Sequence, residues 1–204
     1  MATASSTEIC NMALSHLGVG AEIGVLSTEN SNEAKACRRF YEIARDVTFR
    51  DFAWPFAQTI ADLGLVETDP NDEWGYSYSY PSDCLKLKRI LSGLRNDTHQ
   101  SRIPFKIIHS SSGNLILTDA ADAQLEYTML VESIEMWPAD FVMAFSYRLA
   151  ISICPRLTGG DPFKIISTLA ALYRAEIANA RSNAANEEQL DNEPDSEFIR
   201  TREG

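Results

Sequence analysis

The chain has 204 residues, 45% apolar and 23% charged, which is the composition of a globular protein with room for one large core or two small ones. Its net charge of −11 weighs against a duplex-DNA clamp, which needs a basic face, though not against a protein that lets DNA pass without holding it. The four cysteines, Cys10, Cys37, Cys84 and Cys154, make no C-x-x-C pair. Reduced, buried thiols of a cytosolic protein are therefore expected.

The opening "MATASSTEIC" has neither the basic start nor the apolar run of a signal peptide. No apolar run reaches the ~18 residues of a membrane span, so no membrane partner is expected. Ser5 followed by Glu8 fits a capping box, and Ile9, Met12, Ala13 and Leu17 then mark one helical face. Gly18 is a natural helix stop. The glycines of the next loop, "GVGAEIGVLSTENSN", do not form G-x-G-x-x-G and follow a helix rather than a strand, which argues against phosphate binding. A second helix is expected from Ser31 or Asn32, with Ala36, Phe40, Ile43 and Val47 on its buried face. Pro55 disfavours helical geometry at Trp54, which places the end near Ala53. Phe49, Phe52, Trp54 and Phe56 stand where the chain leaves this helix. Phe52, Trp54 and Phe56 are read as a shape-filling junction between two structural layers.

Between Gln58 and Glu135 helical spacing fades. "WGYSYSYP" alternates Trp74, Tyr76, Tyr78 and Tyr80 with small residues, the period of a strand with one aromatic face. "CLKLKRIL" and "QLEYTMLV" read as further strands, and "PFKIIHSSSGNLILT" as a hairpin turning at Ser110 to Asn114. A small, mostly antiparallel sheet is expected. Pro138 suits the first turn of a third helix, which is apolar on most sides between Phe141 and Cys154, with Arg148 its one charge there. Pro155 and "TGGDP" should break it. Asp161 and Pro162 then fit the cap and first position of a last helix, along which Phe163, Ile166, Ala170, Tyr173, Ile177, Ala180 and Ala184 form a heptad seam. From Glu187 to Gly204 the period is lost, and seven acids face two arginines for a net −5. Such tails commonly order on a partner. Phe198 and Ile199, flanked by Arg200 and Arg202, form an apolar anchor within it.

The expected fold is α+β and mainly α: a discontinuous four-helix bundle with an inserted small antiparallel β-sheet and an extended C-terminal tail. Residues 1–57 and 138–186 make the bundle, 58–137 the β-rich insertion, and 187–204 the acidic tail.

Signals for catalysis are weak. His16, His99 and His109 lie in no H-E-x-x-H and beside no cysteine at ligand spacing, so neither a metal nor a cofactor is expected. Ser110, Ser111 and Ser112 read as turn residues, because G-x-S-x-G is absent. Asp69, Asp72 and Glu73 beside Trp74 allow a glycosidase reading, with two carboxylates as acid and base and aromatics to stack on sugar. The competing reading is a solvated turn, since Asp69-Pro70-Asn71-Asp72 has strong turn chemistry.

Taken in order, "TEICNMALSHLGV", "EAKACRRFYEIARDVTFRDFAWPFA" with its W-x-F/A ending, "YSYPSDCLKL", "KIIHSSSGNLILT", "LEYTMLVESIEMWPADFVMAFSYRLAISICPRLTGG" and "LYRAEIANARSNAANEE" resemble the tail tubular protein A family. These are the head-to-tail connector, or adaptor, proteins of short-tailed bacteriophages. The resemblance implies a structural virion protein at the head–tail junction, made in the host cytoplasm, with no catalytic residue. It implies a homo-oligomeric ring, typically of twelve copies, between the portal protein and a tail nozzle or other downstream tail protein. DNA would cross its channel without sequence-specific binding. The tail, with Phe198, Ile199, Arg200 and Arg202, would reach toward the portal. A polysaccharide or cell-wall hydrolase associated with a phage tail is the alternative, and a helical scaffold with no phage role is a third.

Overall fold

The first helix, α1 (Ser6–His16), is set by its two ends. The Ser5 hydroxyl accepts from the Glu8 N–H at 3.2 Å, and the Glu8 carboxylate accepts from the Ser5 N–H at 2.6 Å, completing the expected capping box. At the other end Gly18 adopts a φ of 72°. Its N–H donates to the Ser15 carbonyl and that of Val19 to the Leu14 carbonyl, a Schellman stop that needs the left-handed conformation. The glycine-bearing loop beyond is pinned. The Asn11 side chain accepts from the Ile23 N–H at 2.8 Å and donates to the Ile23 carbonyl at 3.0 Å. Arg38 donates to the carbonyls of Leu26 and Glu29.

The computed structural model describes residues 5–94, 101–111, 113–159 and 161–187. Ser31 caps α2 (Asn32–Asp51) by accepting from the Ala34 N–H at 3.2 Å. The buried row of α2 differs from the expected one. Ala36 is buried, but Ile43 is 64% exposed, and Phe40 and Val47 are only half-buried. Cys37, Ala44 and Thr48 are buried instead, with Tyr41 packed edge-on against Phe145 at 5.0 Å. This row runs one residue later, a rotation of about 100° on a helix. Its small side chains let α2 approach its neighbour closely, which the bulkier Phe40–Ile43–Val47 row would prevent.

That neighbour is α3 (Ala139–Leu157), the central helix, against which α1, α2 and α4 (Pro162–Glu187) all pack. Pro155 does not end α3 but sits inside its last turn. Proline removes one N–H there without forcing a non-helical φ. The stop falls at Thr158, whose N–H and hydroxyl both donate to the Cys154 carbonyl. Asp161 accepts from the Phe163 N–H at 3.1 Å, as a cap should. The α4 seam is partly different from the heptad reading. Tyr173, Ile177 and Ala180 are buried, but so is Leu169 rather than Ala170, and Phe163 is 79% exposed. A straight helix drifts from a 3.5-residue repeat, so its N-terminal end turns away from the core.

The sheet portion is larger than expected. Among the described residues helices make up 47% and seven strands 25%, in two antiparallel sheets, so the fold is a mixed α/β arrangement and not a mainly helical bundle with a small sheet. The strands are β1 (Gln58–Asp62), β2 (Leu65–Asn71), β3 (Trp74–Ser79), β4 (Cys84–Ile90), β5 (Phe105–Ser110), β6 (Gly113–Thr118) and β7 (Gln124–Met129). One sheet runs β1-β7-β4 and the other β2-β3-β6-β5. The missed strands are β1 and β2, whose sequences "QTIAD" and "LVETDPN" carry no clear alternation. Pro70 is tolerated because β2 is an edge strand with a register shift between Thr68 and Asn71, where Asp69 takes a φ of 50°. Central β7 buries Glu126 and Thr128 as well as Leu125 and Tyr127, since it is covered on both faces.

Two apolar clusters result. One joins the four helices with Val131 and Trp137. The other joins the two sheets through Tyr78, Ile90, Ile116, Leu125 and Tyr127. Arg50 Nη1 donates to the Leu85 carbonyl at 2.8 Å and Lys86 Nζ to the Arg50 carbonyl at 2.7 Å, tying the end of α2 to β4. Among the described residues no helix is long and apolar enough to cross a membrane.

Candidate interaction surface

The residues read as a junction are brought together. Trp54 is 1% exposed, and its indole N–H donates to the Thr48 carbonyl at 2.9 Å. Its ring lies 5.0 Å from Phe52 and 5.0 Å from Phe141, both edge-on, and Phe56 lies 5.2 Å from Phe141. These spacings suit edge-to-face aromatic packing. The return crossing from sheet to helices joins the same cluster through Trp137, which the sequence reading did not single out. A cleft of about 420 Å³ opens beside it, lined by Trp54, Pro55, Phe56, Pro138 and Asp140 and by Ala180, Asn183, Ala184 and Asn186 near the end of α4.

The carboxylates of the glycosidase reading lie elsewhere. Asn71 Oδ1 accepts from the N–H groups of Glu73 and Trp74 at 2.9 and 3.0 Å, so Asp72 and Glu73 form the exposed tip of the β2–β3 hairpin. Lys106 Nζ stands 3.7 Å from Glu73 Oε2, with both side chains more than half exposed. Neither Asp69, Asp72 nor Glu73 lines the cleft beside Trp54. The expected aromatic face turns inward: Tyr78 is 2% exposed, its hydroxyl donating to the Ala120 carbonyl at 2.8 Å, while Trp74, Tyr76 and Tyr80 are half-buried.

His16 Nε2 lies 2.9 Å from Ser146 Oγ, and its ring stacks on Tyr147 at 4.1 Å. The Ser146 hydroxyl donates to the Met143 carbonyl at 2.7 Å. It therefore has only acceptor capacity left for His16, which fixes the proton on Nε2. Burial lowers the pKa of His16. His109 pairs with Asn114 across the β5–β6 hairpin, and Ser110 and Ser111 stand at its turn. His99 and Ser112 fall outside the described residues, as do Phe198, Ile199, Arg200 and Arg202. Among the described residues no cluster of three or more histidine, cysteine or acidic side chains is placed to hold a metal ion.

Large apolar side chains are exposed on several helices and strands. Ile43 on α2 is 64% exposed, and Phe163 and Leu172 on α4 are 79% and 43% exposed. A second cleft, about 400 Å³, collects Asp51, Arg148, Ile151, Tyr173, Arg174, Ile177 and Arg181 where α2, α3 and α4 meet. The sequence reading noted Arg148 but not its partners. Arg174 and Arg181 are seven apart, two turns along one helix face, which is the signal that could have found them. Compared with known proteins, the chain matches no family model and no curated sequence.

Proposed function

We propose that the chain is a non-enzymatic structural subunit of a bacteriophage head-to-tail connector. Copies of it form a ring, twelve by the resemblance, seated between the portal protein and a tail nozzle or other downstream tail protein. DNA passes through that ring without sequence-specific contact. The observation that carries the reading is the apolar surface left outside a satisfied helical core, with Ile43 on α2 and Phe163 and Leu172 on α4. Both helices lay their main contacts on α3, so each keeps an outer side. Exposed apolar side chains on two different helices of one subunit suit head-to-tail contact, the kind that closes into a ring when the rotation permits. The order of the sequence segments supports the phage setting. The net charge of −11 supports passage of DNA without adhesion, since salt confines the field that DNA feels to the nearest ~8 Å of lining.

The test is electron microscopy of the purified protein mixed with the portal protein of the same phage. A ring added to the portal is the expected result, and a subunit that stays solitary in that mixture overturns the reading. Deleting residues 187–204 should weaken portal attachment while leaving the fold intact. Native affinity after the deletion would remove the tail, with Phe198, Ile199, Arg200 and Arg202, from the attachment site.

A further inference from the structure

The recess between α2, α3 and α4 concentrates positive charge in an acidic chain. Arg148, Arg174 and Arg181 line a space of about 400 Å³. Asp51 is the one acid in that lining, and its Oδ2 accepts from the Tyr173 hydroxyl at 2.8 Å. Among the described residues, none of the three guanidinium groups meets a carboxylate or a hydrogen-bond acceptor. Arg148 lies over the Tyr173 ring at 5.8 Å and Arg181 over the Phe52 ring at 5.9 Å. Stacking orients these cations and leaves their N–H donors unused. Ile151 and Ile177 contribute apolar surface to the same lining.

We infer that this recess binds the acidic segment of the same chain that follows α4. Between residues 188 and 197 that segment carries Glu188, Asp191, Glu193, Asp195 and Glu197 and no lysine or arginine. Its carboxylates match the planar forks of the three arginines, which take them in bidentate pairs. The reach is sufficient. From the end of α4 at Glu187, Arg181 lies roughly 9 Å back along the helix and Arg174 roughly 20 Å. Ten extended residues span about 33 Å. Tethering holds the segment at high effective concentration, so modest pairing suffices. Duplex DNA is the competing polyanion, but it must approach a chain of net charge −11. In the docked state the segment is held against α3 and α4 by salt-sensitive contacts, and it is released before it can engage another surface. This inference stands whether or not the chain forms a ring.

The experiment is hydrogen–deuterium exchange of the full chain, read over residues 188–204. Three proteins are compared: the unaltered chain, the triple variant R148Q/R174Q/R181Q, and the tail variant E188Q/D191N/E193Q/D195N. Thermal melting of each confirms folding. The expected result is exchange about tenfold faster in both variants, and in the unaltered chain at 0.5 M NaCl. Equal exchange in all three overturns the inference, as does acceleration in the tail variant alone, which would put the segment elsewhere. Protection that vanishes on tenfold dilution overturns docking within one chain. Binding of a 20-base-pair duplex by the unaltered chain but not by the arginine variant would make the recess a phosphate site and overturn the assigned occupant.

Discussion

Trp54 and Trp137 perform the same task at the two places where the chain crosses between helices and sheets. Each donates its indole N–H to a main-chain carbonyl six residues earlier, Thr48 and Val131 respectively, at 2.9 Å. Each ring centroid lies 5.0 Å from that of Phe141 on α3. One phenylalanine thus receives both crossings. The two crossings therefore pack into the same helical core.

Trp54→Ala should cost ~3–5 kcal/mol, the range for truncating a large buried aromatic, and Trp137→Ala a similar amount. The double variant should lose less than the sum, because both rings share Phe141 and removing one loosens the site of the other. Urea denaturation measures all three. An unchanged midpoint for Trp54→Ala would show that the junction is not packed.

The His16–Ser146 contact joins α1 to α3 and should make stability depend on pH. Burial lowers the folded-state pKa of His16 below the ordinary 6.5. In the window between the two values the unfolded chain binds more protons than the folded one, so stability falls as pH drops below about 6.5 and levels off beneath the folded pKa. The ring is half exposed and solvent screens it, so the effect is small, under about 1 kcal/mol. Melting temperature measured from pH 7.5 to 5 should fall, and His16→Gln should flatten that part of the profile.

Glu126 on β7 accepts from Lys88 Nζ and Arg89 Nε, each at 2.6 Å. Burial raises its pKa, but the two cations outweigh that and hold the carboxyl below the usual carboxylate range. Its contribution is therefore present above pH ~4.3 and is lost as pH falls through the folded value. Glu126→Gln should cost roughly 1–3 kcal/mol at pH 7, limited by the partial exposure of both cations. The deficit relative to the unaltered chain should shrink on acidification, as seen in denaturant midpoints at pH 7 and pH 3.5.

Phe163→Glu and Ile43→Glu replace outward side chains, so each should change folding stability by no more than ~0.5 kcal/mol. On the proposed connector reading both should weaken self-association or assembly on the portal, read by sedimentation velocity and by particle images. Unaltered assembly in both variants would place the subunit interface on other faces.

Local signals were strong enough to read α1 at both ends, the cap of α2, the hairpin of β5 and β6, and the strands β3, β4 and β7. Each rests on chemistry between residues close in sequence: the Ser5–Glu8 box, the positive φ of Gly18, the alternation around Tyr78. The aromatics of "FRDFAWPFA" read from the sequence as a junction, and in the structure Trp54 packs edge-on against Phe52 and Phe141. What the sequence left undetermined depends on partners distant along the chain. β1 and β2 are strands because β7 and β3 hydrogen-bond to them, not because their residues alternate. α2 carries two equally regular rows, and contact with α3 chose the one with small side chains, leaving Ile43 outside. The three arginines of the recess come from two helices, and only the packing of α4 on α3 brings Arg148 to Arg174 and Arg181. Periodicity shows that a face is apolar; which face is covered depends on the shape of the neighbour that arrives to cover it.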